Sequence, residues 1–226
     1  MWSGQLPLQQ EASLLMLDLP GFGQSDPLPD DVSMRSFADD VADVVKQLRI
    51  AKVIFCGLSM GGYIGWEFAN HHAELLEGLI CCNTRADGDD ETTARARKLA
   101  ASQVLKVGTE PIALTMGGKL FSSATKAGNS ALVEQTSGVI RQTAPQSIAQ
   151  AQLAMAQRQD HVSLLSRIDC KVLVIGGADD TITPASAMRE MCSQMSNGTF
   201  VEIPDAGHLS PAEKPADFND AVRRWL

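Results

Sequence analysis

The strongest constraint on this chain is one short stretch, Gly57-Leu58-Ser59-Met60-Gly61-Gly62. It follows the compact apolar run Val53-Ile54-Phe55-Cys56, which carries two β-branched residues. It precedes Tyr63-Ile64-Gly65-Trp66-Glu67-Phe68-Ala69-Asn70, which suits an apolar helix. A strand that ends in Gly-x-Ser-x-Gly and turns straight into a helix has the form of a nucleophile elbow. The serine of such an elbow sits on a sharp, strained turn, and side chains at Gly57 and Gly61 are expected to crowd the neighbouring backbone. The turn lifts the Ser59 hydroxyl above a sheet. The helix N-terminus behind it presents N–H groups and a partial positive charge to an oxyanion. The competing reading is a glycine-rich turn that does no chemistry; the flanking strand and helix favour the functional one.

The rest of the chain alternates strands and helices. Residues 1–12 read as part of a helix, and Leu14-Leu15-Met16-Leu17 as a buried strand ending at Asp18. Leu19 to Pro27 is a dense turn segment. Phe37, Val41, Val44, Val45 and Leu48 fall on one face of a helix over 36–49, capped by Ser33 or Ser36. Leu75 to Cys82 is a further buried strand closing at Asn83-Thr84. Over 85–165 strand signals vanish, and amphipathic stretches follow at 91–106, 110–121, 129–142 and 145–158. The strand pattern returns at Lys171-Val172-Leu173-Val174-Ile175 and again at Phe200-Val201-Glu202-Ile203, with helices over 185–195 and 215–226. This order predicts an α/β fold, a mostly parallel sheet covered on both faces. Residues 1–84 and 166–226 form the core, and 85–165 a helical insertion.

At 226 residues the chain can bury a sizeable core. Its formal net charge of -8 argues against a nucleic-acid partner, because phosphate binding needs a basic face. No basic amphipathic helix suits a membrane surface, and no apolar run approaches spanning length. The N-terminus lacks a signal-peptide pattern, so a cytoplasmic location is expected. Cys56, Cys81, Cys82, Cys170 and Cys192 show no C-x-x-C spacing. Four of them lie in or beside strand-like runs, where a thiol acts as a small hydrophobe.

A serine nucleophile needs a base, and the base an orienting acid. Of the four histidines, His71 and His72 end the elbow helix among polar residues and read as surface groups, and His161 has no strong pattern. His208 stands in a loop after the last strand, preceded by Gly207, and is the candidate base. Asp179 and Asp180 both follow a buried strand, where the ends of parallel strands build sites. The order Ser, Asp, His matches that of one hydrolase fold.

These residues together resemble the α/β-hydrolase superfamily over essentially the whole chain. The resemblance rests on Asp18-Leu19-Pro20-Gly21-Phe22-Gly23-Gln24-Ser25-Asp26, the elbow at Ser59, Gly177-Ala178-Asp179-Asp180 with Pro184, Ala206-Gly207-His208, and Glu213 with Pro215. In the family's spacing the acid falls at Asp180. Some relatives carry it after the strand that here ends at Asn83, which has no carboxylate. Gly-Leu-Ser-Met-Gly-Gly followed by Leu79-Ile80-Cys81-Cys82-Asn83-Thr84 is similar to the 3-oxoadipate enol-lactonase and small carboxylesterase branch. The resemblance implies that the insertion is a cap over an acyl pocket, with Leu114, Met116, Leu120, Phe121 and Met155 as apolar candidates. It also implies that the Met60 N–H is one oxyanion donor. Family members begin with further strands and a His-Gly loop that supplies the second donor. Against that pattern the chain reads as N-terminally truncated, with a gap or distortion expected between the Leu14–Leu17 strand and the elbow strand.

The function implied is a serine hydrolase of small carboxylic esters or lactones, with no metal or organic cofactor. Ser59 is the nucleophile, His208 the base and Asp180 its partner. Two alternatives accompany it. One is an impaired or non-catalytic ligand-binding relative, because the oxyanion loop is missing. The other is a cofactor-free perhydrolase, which the Ser-Met-Gly-Gly run also resembles.

Overall fold

Short apolar runs pair into one sheet of four strands: β1 (Val53–Leu58), β2 (Leu76–Cys82), β3 (Lys171–Gly177) and β4 (Gly198–Ile203). The computed structural model describes residues 1–29 and 31–226. The strands lie side by side in chain order and every pair is parallel. Parallel neighbours need crossover connections, and helices supply them. These are α2 (Met60–His71) between β1 and β2, and α9 (Ala185–Ser193) between β3 and β4. Six helices lie between β2 and β3: α3 (Glu91–Val107), α4 (Glu110–Lys119), α5 (Ser123–Gly128), α6 (Ser130–Gln142), α7 (Pro145–Ala156) and α8 (Val162–Leu165). The sequence pattern anticipates four of them. The short α5 and α8 carry too few turns to show a periodicity.

Side chains alternate across the sheet, as the twofold period of a strand requires. Leu79, Cys81, Val172 and Val174 face a core shared with α1 (Met34–Gln47), α2 and α9. Ile80, Cys82, Leu173 and Ile175 face the opposite core, shared with a 3-10 helix (Trp2–Gln10) and α11 (Pro215–Trp225). α1 starts at Ser33, whose hydroxyl accepts from the Ser36 N–H while the Ser36 hydroxyl accepts from the Ser33 N–H. Its buried face is Met34, Phe37, Ala38, Ala42 and Val45. Leu48, expected on that face, lies beyond the last turn and is exposed.

The front of the chain differs from expectation. Leu14 to Leu17 form no strand; they are 37–45% exposed and paired with no strand among the described residues. A strand exists only as a pairing, and β1 is the edge of the observed sheet. Cys56, read as a packed thiol, is exposed for the same reason, whereas Cys81, Cys82 and Cys192 are buried. The turn segment after Asp18 closes on itself. The Gln24 N–H donates to Asp18 Oδ2 at 3.1 Å and the Gly21 N–H to the Asp26 carbonyl at 2.7 Å. Among the described residues no helix is long and apolar enough to cross a membrane.

Candidate active site at the strand ends

Because the strands are parallel, their C-terminal ends lie along one edge, and the residues just past them become neighbours. Ser59 follows β1 with φ 53° and ψ −112°, a conformation that side-chain-bearing residues rarely hold without support. The support is explicit. The Ser59 N–H donates to the Cys82 carbonyl at 2.9 Å, and the Ser59 carbonyl accepts the Thr84 hydroxyl at 2.8 Å and the Gly62 N–H at 2.9 Å. Gly57 is required by space: a Cβ there would sit 2.1 Å from the Gly61 carbonyl oxygen. Gly61 is not, since a Cβ there meets nothing within 4 Å. The tight second glycine is Gly62, where a Cβ would lie 2.4 Å from the Thr84 hydroxyl.

The loops after β3 and β4 are laced together. The Ala178 N–H donates to the Ile203 carbonyl at 2.9 Å and the Asp179 N–H to the Ala206 carbonyl at 2.8 Å. This brings Asp180 to His208, with Oδ2 2.9 Å from Nδ1. Both side chains are almost wholly buried, whereas Asp179 is exposed. Asp180 collects further donors. Its Oδ1 accepts the Ile182 and Thr183 N–H groups at 2.8 and 3.1 Å, and its Oδ2 accepts the Thr183 hydroxyl at 2.5 Å and Asn83 Nδ2 at 2.8 Å. Burial pushes this carboxyl up, but the hydrogen bond and charge of His208, with the bonds from Thr183 and Asn83, outweigh it and hold the pKa at about 2. An ionised carboxylate only accepts, so the proton of a neutral His208 sits on Nδ1, and Nε2 keeps its lone pair.

Asn83 follows β2 and completes the row. It is fully buried at φ 46°. Its Nδ2 also donates to the Gly207 carbonyl at 3.2 Å, and its Oδ1 accepts the Ser210 hydroxyl at 2.6 Å. The Asp180 carboxylate and the Gly207 carbonyl can only accept, and this fixes the amide orientation with its NH₂ toward Asp180.

A model of the alpha/beta hydrolase fold matches residues 1–215. The chain belongs to the α/β-hydrolase family. The 3-oxoadipate enol-lactonase 2 of Acinetobacter baylyi is 30% identical over 223 residues, covering 98% of this chain and 82% of that protein. Among solved structures, a thermophilic esterase from Thermogutta terrifontis with malate bound is 36% identical at a TM-score of 0.97, over 100% of this chain and 84% of that one. The enol-lactonase of Burkholderia xenovorans is 26% identical at a TM-score of 0.91, over 100% and 85% respectively.

In this α/β-hydrolase the other histidines serve elsewhere. His72, read as a surface residue, is 9% exposed, with Nε2 2.6 Å from Asp39 Oδ1 of α1. His161 packs Nε2 3.1 Å from Glu67 Oε1. Tyr63, Trp66 and Glu67 share one face of α2, at spacings of three and four residues. That face seats both chain crossings to the helical segment: Arg158 stacks on the Tyr63 ring at 4.2 Å, and Trp66 Nε1 donates to the Arg85 carbonyl at 2.9 Å. Of the apolar candidates, Leu120 and Phe121 are buried and Leu114 is 65% exposed. Among the described residues no cluster of three or more His, Cys, Asp or Glu is placed to hold a metal ion. Sequence reasoning missed Thr183 and Ser210 and treated Asn83 only as a lost acid. Thr183, three residues past Asp180 in a turn, carried a local signal, because aspartate commonly binds groups two and three residues on. Ser210 carried none.

Proposed function

We propose that this α/β-hydrolase is a serine hydrolase of small carboxylic esters or lactones that works through an acyl-enzyme on Ser59. The observation that carries the reading is the buried Asp180–His208 pair, 2.9 Å apart, on the same sheet edge as a strained serine. With the proton on Nδ1 held by Asp180, Nε2 of His208 is the base that takes the Ser59 proton as the hydroxyl attacks the carbonyl carbon. The new C–O bond pushes the carbonyl electrons onto oxygen. The Met60 N–H, opening α2, is the proposed donor to that oxyanion, aided by the positive end of the helix dipole. His208 then protonates the leaving alkoxide, or the enolate carbon or oxygen of an opened lactone. Water, deprotonated by His208, releases the acid and restores Ser59.

The names of the relatives support the substrate class. One curated relative and one solved structure are enol-lactonases, and another solved structure is an esterase with a small dicarboxylate bound. Residues 85–165 serve as a cap on the core formed by 1–84 and 166–226. This reading is tested by reacting the chain with a fluorophosphonate and mapping the adduct by mass spectrometry. The expected result is a stoichiometric adduct on Ser59, lost in Ser59→Ala and strongly slowed in His208→Ala. A folded chain that gives no adduct, or an adduct indifferent to His208, refutes it.

A further inference from the structure

We propose that Glu213 is a positioning residue for His208: its carboxylate staples the cap to the histidine loop, so that seating the cap and placing the base are one event. The inference rests on the reading of His208 as the base. Glu213 is the last residue of α10 (Ser210–Glu213). One oxygen, Oε1, accepts the Gly207 N–H at 2.8 Å; the other, Oε2, accepts the Ser122 N–H at 2.8 Å. Gly207 precedes the base. Ser122 belongs to the cap, as the N-cap of α5, 91 residues away from Glu213 in the chain.

A second contact runs between the same two segments without Glu213. The Leu120 carbonyl of the cap accepts the N–H of His208 at 2.9 Å and that of Leu209 at 3.2 Å. The backbone N–H of the proposed base is therefore donated to the cap. The approach is close enough that a Cβ on Gly207 would lie 2.6 Å from the Ser122 nitrogen and 2.7 Å from the Phe121 carbonyl carbon. Leu120, Phe121 and Ser122 are all buried at this seam.

The chemistry selects a carboxylate. Two N–H donors face two separate oxygens, and only an ionised carboxyl accepts on both; an amide would turn an NH₂ toward one of the donors. If the turn lifts away, His208 and Leu209 lose the Leu120 carbonyl and Ser122 loses Glu213 Oε2, while Gly207 keeps Glu213 Oε1; buried N–H groups without partners are strongly disfavoured. Thus the cap turn holds the loop in which Nε2 of His208 is aimed.

The test uses the full chain with Glu213→Gln and Glu213→Asp. Hydrogen–deuterium exchange is followed in peptides spanning 118–125 and 205–212, and Ser59 phosphonylation is resolved into a binding constant and a rate constant. In Glu213→Gln both segments are expected to exchange faster together. The phosphonylation rate constant should fall about tenfold, with the binding constant unchanged. Glu213→Asp keeps the charge but loses the reach, and should behave alike. Faster exchange in only one segment overturns the staple, and so does a wild-type rate constant with both segments loosened. A wild-type rate in Glu213→Asp alone would mean that charge and not the bridge matters, and also overturns it. Should the wild-type chain take no label at all, the reading of Ser59 fails, while the paired exchange still decides the coupling.

Discussion

Asp89→Asn is expected to destabilise the fold by about 3 kcal/mol. The Asp89 side chain is 1% exposed and lies between two guanidinium groups, Arg97 Nε at 2.6 Å and Arg158 Nη1. Arg158 is itself 3% exposed. Three more of its hydrogens go to carbonyls, Asp87 at 2.9 and 3.2 Å and Met155 at 3.2 Å, and its face covers the Tyr63 ring. Asparagine keeps the shape but removes the carboxylate that pairs with Arg158. Arg97 is 21% exposed and can turn back to water; Arg158 cannot. Breaking one partner of a buried pair typically costs about 3–5 kcal/mol, and the escape of Arg97 places this case at the lower end. For a chain of this size that corresponds to a fall in Tm of about 6–12 °C. Scanning calorimetry of the two proteins measures it. Because the pair is buried, the difference should persist at high salt. Replacing both partners by apolar residues, Asp89→Leu with Arg158→Met, should recover part of the loss. A Tm within about 2 °C of wild type for Asp89→Asn would show that the cluster is solvated, and would refute the argument.

Two further outcomes follow from the site. Gly57→Ala should cost about 1–3 kcal/mol and abolish labelling of Ser59, since its Cβ meets backbone, while Gly61→Ala, with open space around it, should keep both; denaturant midpoints and fluorophosphonate labelling decide. The Asp180 carboxyl is held at about 2 against an ordinary 3.8, so the stability it confers is complete above the unfolded value and is lost as pH falls through the folded one. Wild type should lose about 2 kcal/mol through this group between about pH 4 and pH 2, and Asp180→Asn should not; urea midpoints across that range measure the difference, and equal slopes would refute it.

The folding class was legible in the chain because its signals are local. An apolar run of strand length, a glycine that spares the turn, and helices at a 3.6-residue period are each read within a dozen residues. The four strands of the sheet and the helices between them follow from such signals, and so does the place of Asp180 and His208 just past two strand ends. Leu14 to Leu17 show the limit. The run has the composition of a buried strand, but a strand is made by its neighbour, and among the described residues none pairs with it.

What the sequence by itself determined is therefore where chemistry could stand: a serine on a forced turn after β1, an acid after β3, a histidine after β4. Tertiary structure alone decided what surrounds those groups. Asn83 reaches Asp180 across 97 residues, Ser210 reaches Asn83 across 127, and Glu213 joins Gly207 to the turn at Ser122, 91 residues upstream. His72, expected at the surface, lies against Asp39 of α1, and His161, which carried no pattern, lies beside Glu67 of α2. Hydrogen bonds depend on position in space to a few tenths of an ångström, and no periodicity along a chain carries that distance. Packing brings the ends of the strands together, and only then does each polar group acquire the partners that set its orientation and its charge.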